Sequence, residues 1–139
     1  AAPQRPNLVG KDAPTMELPD LDGKTVKLSD YKGKQTLLMF WNPGCGFCKR
    51  MTDELRDWSK QKPKDSPEIV LVSTGTVESN QAMDLPMRTL LDEGFATGRK
   101  FGAGGTPSAV LVDGKGNIAS DVAVGAPAVM ALAGQPLSV

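Results

Sequence analysis

Hydrophobic positions fall into runs whose period changes along the chain. Residues 35–41 (Gln-Thr-Leu-Leu-Met-Phe-Trp) lead into an apolar stretch without alternation, the pattern of a strand buried on both faces. From Phe47 the period becomes helical. Phe47, Met51, Leu55 and Trp58 recur on one side, and Lys49, Arg50, Asp53, Glu54, Arg56 and Asp57 fill the other. This helix is expected to stop before Pro63, and Ile69–Val72 reads as a second buried strand. Strand, helix and strand in succession make a βαβ unit with a parallel pair.

The flanking segments are shorter. Residues 1–14, with Pro3, Pro6 and Pro14, lack periodicity and read as an extended lead-in. Thr15–Leu18 and Thr25–Leu28 alternate around Asp22-Gly23, which predicts a hairpin. Ser29-Asp30-Tyr31 suits a single helical turn ended by Gly33. Beyond the βαβ unit, a short helix is expected around Ser79–Met83, a strand over Met87–Leu91 and a helix around Phe95–Phe101. Ala109–Val112 and Ile118–Val124, joined by Asp113–Gly116, predict a second hairpin. Pro127 then opens a helix over Ala128–Ala133 that Gly134 ends. The expected fold class is α/β: a mixed central sheet flanked by helices, with an N-terminal hairpin, in one domain over residues 1–139.

Composition narrows the chemistry. Sixteen basic and 16 acidic side chains cancel, and no block of like charge points to nucleic acid or an anionic membrane surface. The longest apolar run, Leu37–Trp41, is far short of a membrane span. There is no histidine, which removes imidazole acid–base chemistry and every His-containing metal site. The chain opens on Ala-Ala-Pro, as a mature or trimmed chain would.

The only two cysteines, Cys45 and Cys48, stand in "WNPGCGFCKR". A structural disulfide would close so short a loop that chain entropy offers only about 2 kcal/mol. Half a zinc site has no further Cys or His to complete it, so no metal is expected. Two buried free thiols would be a third bland role. Redox chemistry explains the placement better. A CxxC between a buried strand and an amphipathic helix sets Cys45 at the helix's amino end, where unpaired N–H groups and the dipole favour a thiolate. Cys48, one turn deeper, is placed to attack a mixed disulfide formed at Cys45. Lys49 and Arg50 add positive charge nearby from the exposed face. Downstream, Gly104-Gly105-Thr106-Pro107 directly precedes a strand, where proline is tolerated at the first position. A cis Thr106–Pro107 bond would turn the backbone towards the cysteines, leaving the amide and carbonyl of Thr106 to pair with an extended substrate.

"VGKDAPTMELPDLDGKTVKLSDYKGK", "LLMFWNPGCGFC" and "GTPSAVLVD", in that order from Val9 to Val124, resemble the thioredoxin-fold redoxins of the TlpA/ResA type. The resemblance implies a thiol:disulfide oxidoreductase with Cys45 attacking, Cys48 resolving and Pro107 as the cis-proline that faces them. Trp41 corresponds to the aromatic flanking the site, and Trp41, Gly46, Phe47, Thr106 and Pro107 are the expected substrate-binding residues. No cofactor is implied. The partners implied are protein or peptide disulfides and a redox partner at a membrane, with the chain a monomer in an extracytoplasmic compartment.

Two departures bear on mechanism. Thioredoxins carry a buried aspartate where Met39 stands, and ResA-like proteins often carry a glutamate where Met51 stands. Asp53, Glu54 and Glu93 would serve as proton acceptors for Cys48 only if the fold turned one inward. With no histidine between or beside the cysteines, a reductase is expected rather than an oxidase of folding proteins. Peroxiredoxins need a Thr or Ser and a Pro where Asn42 and Leu38 stand, and copper chaperones of the Sco kind need a wider cysteine spacing and a histidine. A non-catalytic interaction module with a vestigial CxxC is the competing reading from another class.

Overall fold

The computed structural model describes residues 8–62 and 64–134. Its centre is a five-stranded sheet in the order β5-β4-β3-β6-β7, from β3 (Thr36–Trp41), β4 (Glu68–Ser73), β5 (Arg88–Leu91), β6 (Ser108–Val112) and β7 (Ala123–Val124). β3 pairs parallel with β4 and antiparallel with β6, and β4 pairs parallel with β5. All six residues of β3 are buried because the central strand is covered on both faces. Alternate side chains therefore serve two cores. Leu37, Met39 and Trp41 join one with α1 (Gly46–Gln61) and α4 (Ala126–Leu132); Leu38 and Phe40 join the other with Val26 and Phe101.

α1 buries Cys48, Met51, Leu55 and Trp58, a stripe at helical spacing. Phe47 was expected on that stripe and is not; its side chain lies one residue around the helix and is 64% exposed, with Cys48 turned inward in its place. Its ring instead receives the Arg50 guanidinium, 4.6 Å from the centroid. At the other end the Trp58 indole N–H donates to the Ala133 carbonyl at 2.8 Å, tying α1 to α4. α1 ends at Gln61, and Lys62 closes it in the left-handed region (φ 36°).

β1 (Glu17–Pro19) and β2 (Thr25–Lys27) form the N-terminal hairpin, displaced by two residues in its first strand from the expected Thr15–Leu18. The shift follows from the turn, where Asp20 Oδ1 accepts from the N–H groups of Asp22 and Lys24. The expected turn at Ser29–Tyr31 is a 3₁₀ helix over Leu28–Tyr31. α2 (Val77–Gln81) starts two residues before the expected Ser79, because Thr76 Oγ1 caps it by accepting from Ser79 N at 3.0 Å. α3 (Ala96–Lys100) is fixed by buried Asp92, whose carboxylate accepts from the N–H groups of Thr97 and Gly98 at 2.9 and 3.0 Å.

One further expectation is corrected. Ile118–Val124 is not one strand. Ile118 bridges Val112, but the pairing resumes only at Ala123 opposite Ala109, so two extra residues bulge from the second strand. Ser120 Oγ accepts from Leu111 N at 2.9 Å and satisfies the donor the bulge leaves free. The described part of the lead-in pairs with the chain after β6. Gly10 and Ala13 donate to Ile118 and Gly116 at 2.8 and 2.9 Å, and Lys11 accepts from Ile118 N, so this segment adds an edge to the sheet. Residues 1–7 lie outside the described residues.

Candidate active site

Trp41 ends β3 and Gly46 begins α1, leaving Asn42, Pro43, Gly44 and Cys45 to make the connection. The tight turn is closed from within: Gly44 N–H donates to Asn42 Oδ1 at 2.8 Å, and Cys45 N–H donates to the Asn42 carbonyl at 3.0 Å. Cys45 thereby becomes the N-cap of α1, in extended conformation (φ −83°, ψ 124°). Its thiol is partly exposed and Cys48 is fully buried. Both are free thiols.

The two sulfurs meet opposite electrostatics. Partial burial of Cys45 opposes ionisation, yet its pKa lies below the ordinary thiol value. The Cys48 N–H, the Thr106 side chain, the Cys48 thiol and the Phe47 N–H together outweigh the burial. For Cys48, burial pushes the pKa up to about 12, and the neighbouring Cys45 adds to the rise. The Asn42 N–H and the Thr106 side chain only partly offset this. One thiol is thus poised to ionise and its neighbour is held protonated.

Sixty-one residues away in sequence, the loop before β6 closes over Cys45. The Thr106–Pro107 bond is cis, and the Cys45 thiol donates to the Thr106 carbonyl at 3.6 Å. Beside them a groove of about 330 Å³ is lined by Phe47, Arg50, Met51, Thr106, Pro107 and Val124. Phe47 and Val124 (57% exposed) are two of only three exposed large hydrophobics among the described residues. Gly46, exposed at the first position of α1, completes the approach to Cys45.

Of the residues expected to meet substrate, Gly46, Phe47, Thr106 and Pro107 surround Cys45, and Trp41 does not. Trp41 is 1% exposed and packs in the core with Met39, Met51 and Cys48, so it supports the site from beneath. As the last residue of a strand covered on both faces, it has no open side. None of the three candidate proton acceptors turns inward, since Asp53, Glu54 and Glu93 are all exposed. Val124 was not singled out from sequence, because only the bulge before β7 brings it beside Pro107. Among the described residues no cluster of three or more His, Cys, Asp or Glu is arranged to hold a metal.

The AhpC/TSA family model matches residues 9–120, spanning both the Cys45–Cys48 segment and the Thr106–Pro107 loop. The chain belongs to the AhpC/TSA family. Within it, the chain is 26% identical over 119 residues to the thiol-disulfide oxidoreductase ResA of Bacillus thuringiensis subsp. konkukian, covering 82% of this chain and 69% of that protein. It is 29% identical over 115 residues to ResA of Geobacillus thermodenitrificans, covering 79% and 66% respectively. The thioredoxin domain of a thiol-disulfide oxidoreductase from Bacteroides vulgatus superposes with a TM-score of 0.69 at 26% identity, covering 87% of this chain and 91% of that one. This AhpC/TSA protein has a thioredoxin-like fold and is an oxidoreductase.

Proposed function

We propose that Cys45 and Cys48 are the redox couple of this oxidoreductase and that it works as a reductase of protein disulfides. The Cys45 thiolate attacks one sulfur of a substrate disulfide, forming a Cys45–substrate disulfide and releasing the first substrate thiolate. Cys48 then loses its proton and attacks the Cys45 sulfur. The mixed disulfide breaks, the second substrate thiolate leaves, and a Cys45–Cys48 disulfide remains. Two electrons pass to the substrate, and the released thiolates take up protons from Cys48 and solvent.

The observation that carries this reading is the asymmetry of the two thiols: one ionisable and partly exposed at a helix amino terminus, the other buried one turn deeper. It also supports the direction. A CxxC couple is strongly oxidising when its reduced form is held as a stabilised thiolate. Here Cys45 meets N–H donors of α1 and the Thr106 carbonyl, no cation contributes to lowering its pKa, and Arg50, in the groove, stacks on Phe47. The Thr106 backbone, whose carbonyl meets the Cys45 thiol, and the groove between Phe47 and Val124 suit an extended protein segment, with Gly46 and Pro107 setting its approach to sulfur.

No helix among the described residues is long and apolar enough to cross a membrane. On the resemblance to TlpA/ResA redoxins, the setting is an extracytoplasmic monomer in a single domain, re-reduced by a membrane-bound donor and needing no cofactor. Insulin reduction tests the function: activity in the wild type should vanish in Cys45→Ser, and Cys48→Ser should accumulate mixed disulfide. The equilibrium potential tests the direction. A value around −270 mV supports a reductase, and one around −120 mV makes the protein an oxidant of folding chains.

A further inference from the structure

Asn42 makes more of the site than a loop residue needs to. Its side-chain oxygen accepts from Gly44 N–H at 2.8 Å, and its carbonyl accepts from Cys45 N–H at 3.0 Å. Its own N–H faces the Cys48 sulfur. One residue therefore touches the backbone of the attacking cysteine and the thiol of the resolving one. The turn has a rigid outer wall as well: Pro43 is buried, and Gly75, at φ +91°, brings the loop after β4 close enough that a Cβ there would meet the Pro43 ring at 3.5 Å.

A thiol is a poor N-cap, and Cys45 makes no capping hydrogen bond with its side chain. Something else must hold residue 45 in capping conformation while leaving its sulfur free before the open N–H groups of α1. Gly44 and Cys45 offer two N–H groups, and Asn42 accepts both. Asparagine does this well, because its short amide accepts from the backbone two residues on. An alanine here keeps the carbonyl contact and loses the side-chain one.

We propose that Asn42 is a positioning residue for the redox couple, its side chain locking the turn that presents Cys45 to the amino end of α1. The inference rests on the reading of Cys45–Cys48 as the couple. It assigns to a residue outside the CxxC a share in setting how readily Cys45 ionises and how reducing the pair is. Loosening the turn lets Cys45 drift from the N–H groups that favour its thiolate. The thiolate is then less stable, the reduced form loses that stabilisation, and the couple becomes more reducing.

The experiment compares wild type with Asn42→Ala, Asn42→Ser and Gly44→Pro, the last of which deletes the donor of the same hydrogen bond. Cys45 ionisation is followed by thiolate absorbance in the reduced proteins, the potential by equilibration with glutathione, and folding by thermal melts. Asn42→Ala is expected to raise the Cys45 pKa and shift the exchange constant about threefold to tenfold towards the disulfide, about 15 to 30 mV for a two-electron couple. Gly44→Pro should move both in the same direction. Asn42→Ser, which keeps an acceptor oxygen, should restore most of each. Should Asn42→Ala fail to fold, Gly44→Pro and Asn42→Ser decide alone.

The proposal is overturned if melts shift while pKa and potential stay at wild-type values, or if Ser is as altered as Ala. Failure of the parent reading looks different. A wild type that cannot reduce insulin, or whose two cysteines never form a disulfide, refutes the redox function whatever Asn42 does to thiol ionisation.

Discussion

Removing the Cys48 thiol should change how the stability of the reduced protein depends on pH. Burial and the neighbouring Cys45 raise Cys48 to about 12, whereas an unfolded cysteine ionises near 8.5. The folded-state value is the higher one, so the native chain holds this proton after the unfolded chain has lost it. The resulting stability is complete below pH 8.5 and is lost as pH rises from there towards 12. Each pH unit within that window carries about 1.4 kcal/mol, and integrating from pH 8 to pH 10 gives about 2 kcal/mol. Cys45 works in a different window. Its depressed pKa stabilises the native state above the unfolded value, a contribution lost only as pH falls through the folded pKa. Its contribution still grows between about pH 8 and 9, but Cys45 stands in both proteins compared, so this rise does not mask Cys48. The assay is urea unfolding of reduced wild type and reduced Cys48→Ala at pH 8, 9 and 10. All other side chains are common to both proteins and cancel in the comparison. The stability advantage of wild type over Cys48→Ala should shrink by about 2 kcal/mol across the series. A constant difference would show that Cys48 ionises as readily folded as unfolded, and the proposed thiol asymmetry would fall with it.

Two further outcomes follow from side-chain contacts. Iodoacetamide at pH 7 should give reduced protein a single adduct, at Cys45, because a thiol of pKa about 12 is ionised in only about one molecule in 10⁵ and Cys48 has no exposed surface; peptide mass mapping that finds Cys48 labelled within tenfold of the Cys45 rate would contradict this. Gly98→Ala should destabilise by about 1–3 kcal/mol in urea titrations, since the added Cβ would overlap the Phe95 ring, which packs 6.1 Å from Phe40. A neutral result would mean that this ring is free to move.

Local pattern carried much of the fold. The unbroken apolar run before Trp41 marked a central strand, and the change of period at Phe47 marked the helix, because burial on two faces or on one stripe is written in neighbouring residues. The position of Cys45 at the amino end of α1 was legible for the same reason. So was the Thr-Pro loop, since proline at the head of a strand has few other places to sit.

What depends on where distant segments meet was not. Which side of α1's first turn faces the sheet decided that Cys48 is buried and Phe47 exposed, and one residue's difference is a rotation of about 100° that periodicity alone resolves poorly. The covering of β3 on both faces put Trp41 beneath the site instead of at its edge. A two-residue bulge, invisible in an alternating stretch, brought Val124 beside Pro107. The sequence by itself determined the order of the elements and the presence of two thiols at a helix start, since both are properties of contiguous residues. Tertiary structure decided the surroundings of those thiols, because burial of Cys48, approach of Thr106 and exposure of Asp53, Glu54 and Glu93 are set by chain closure over many residues.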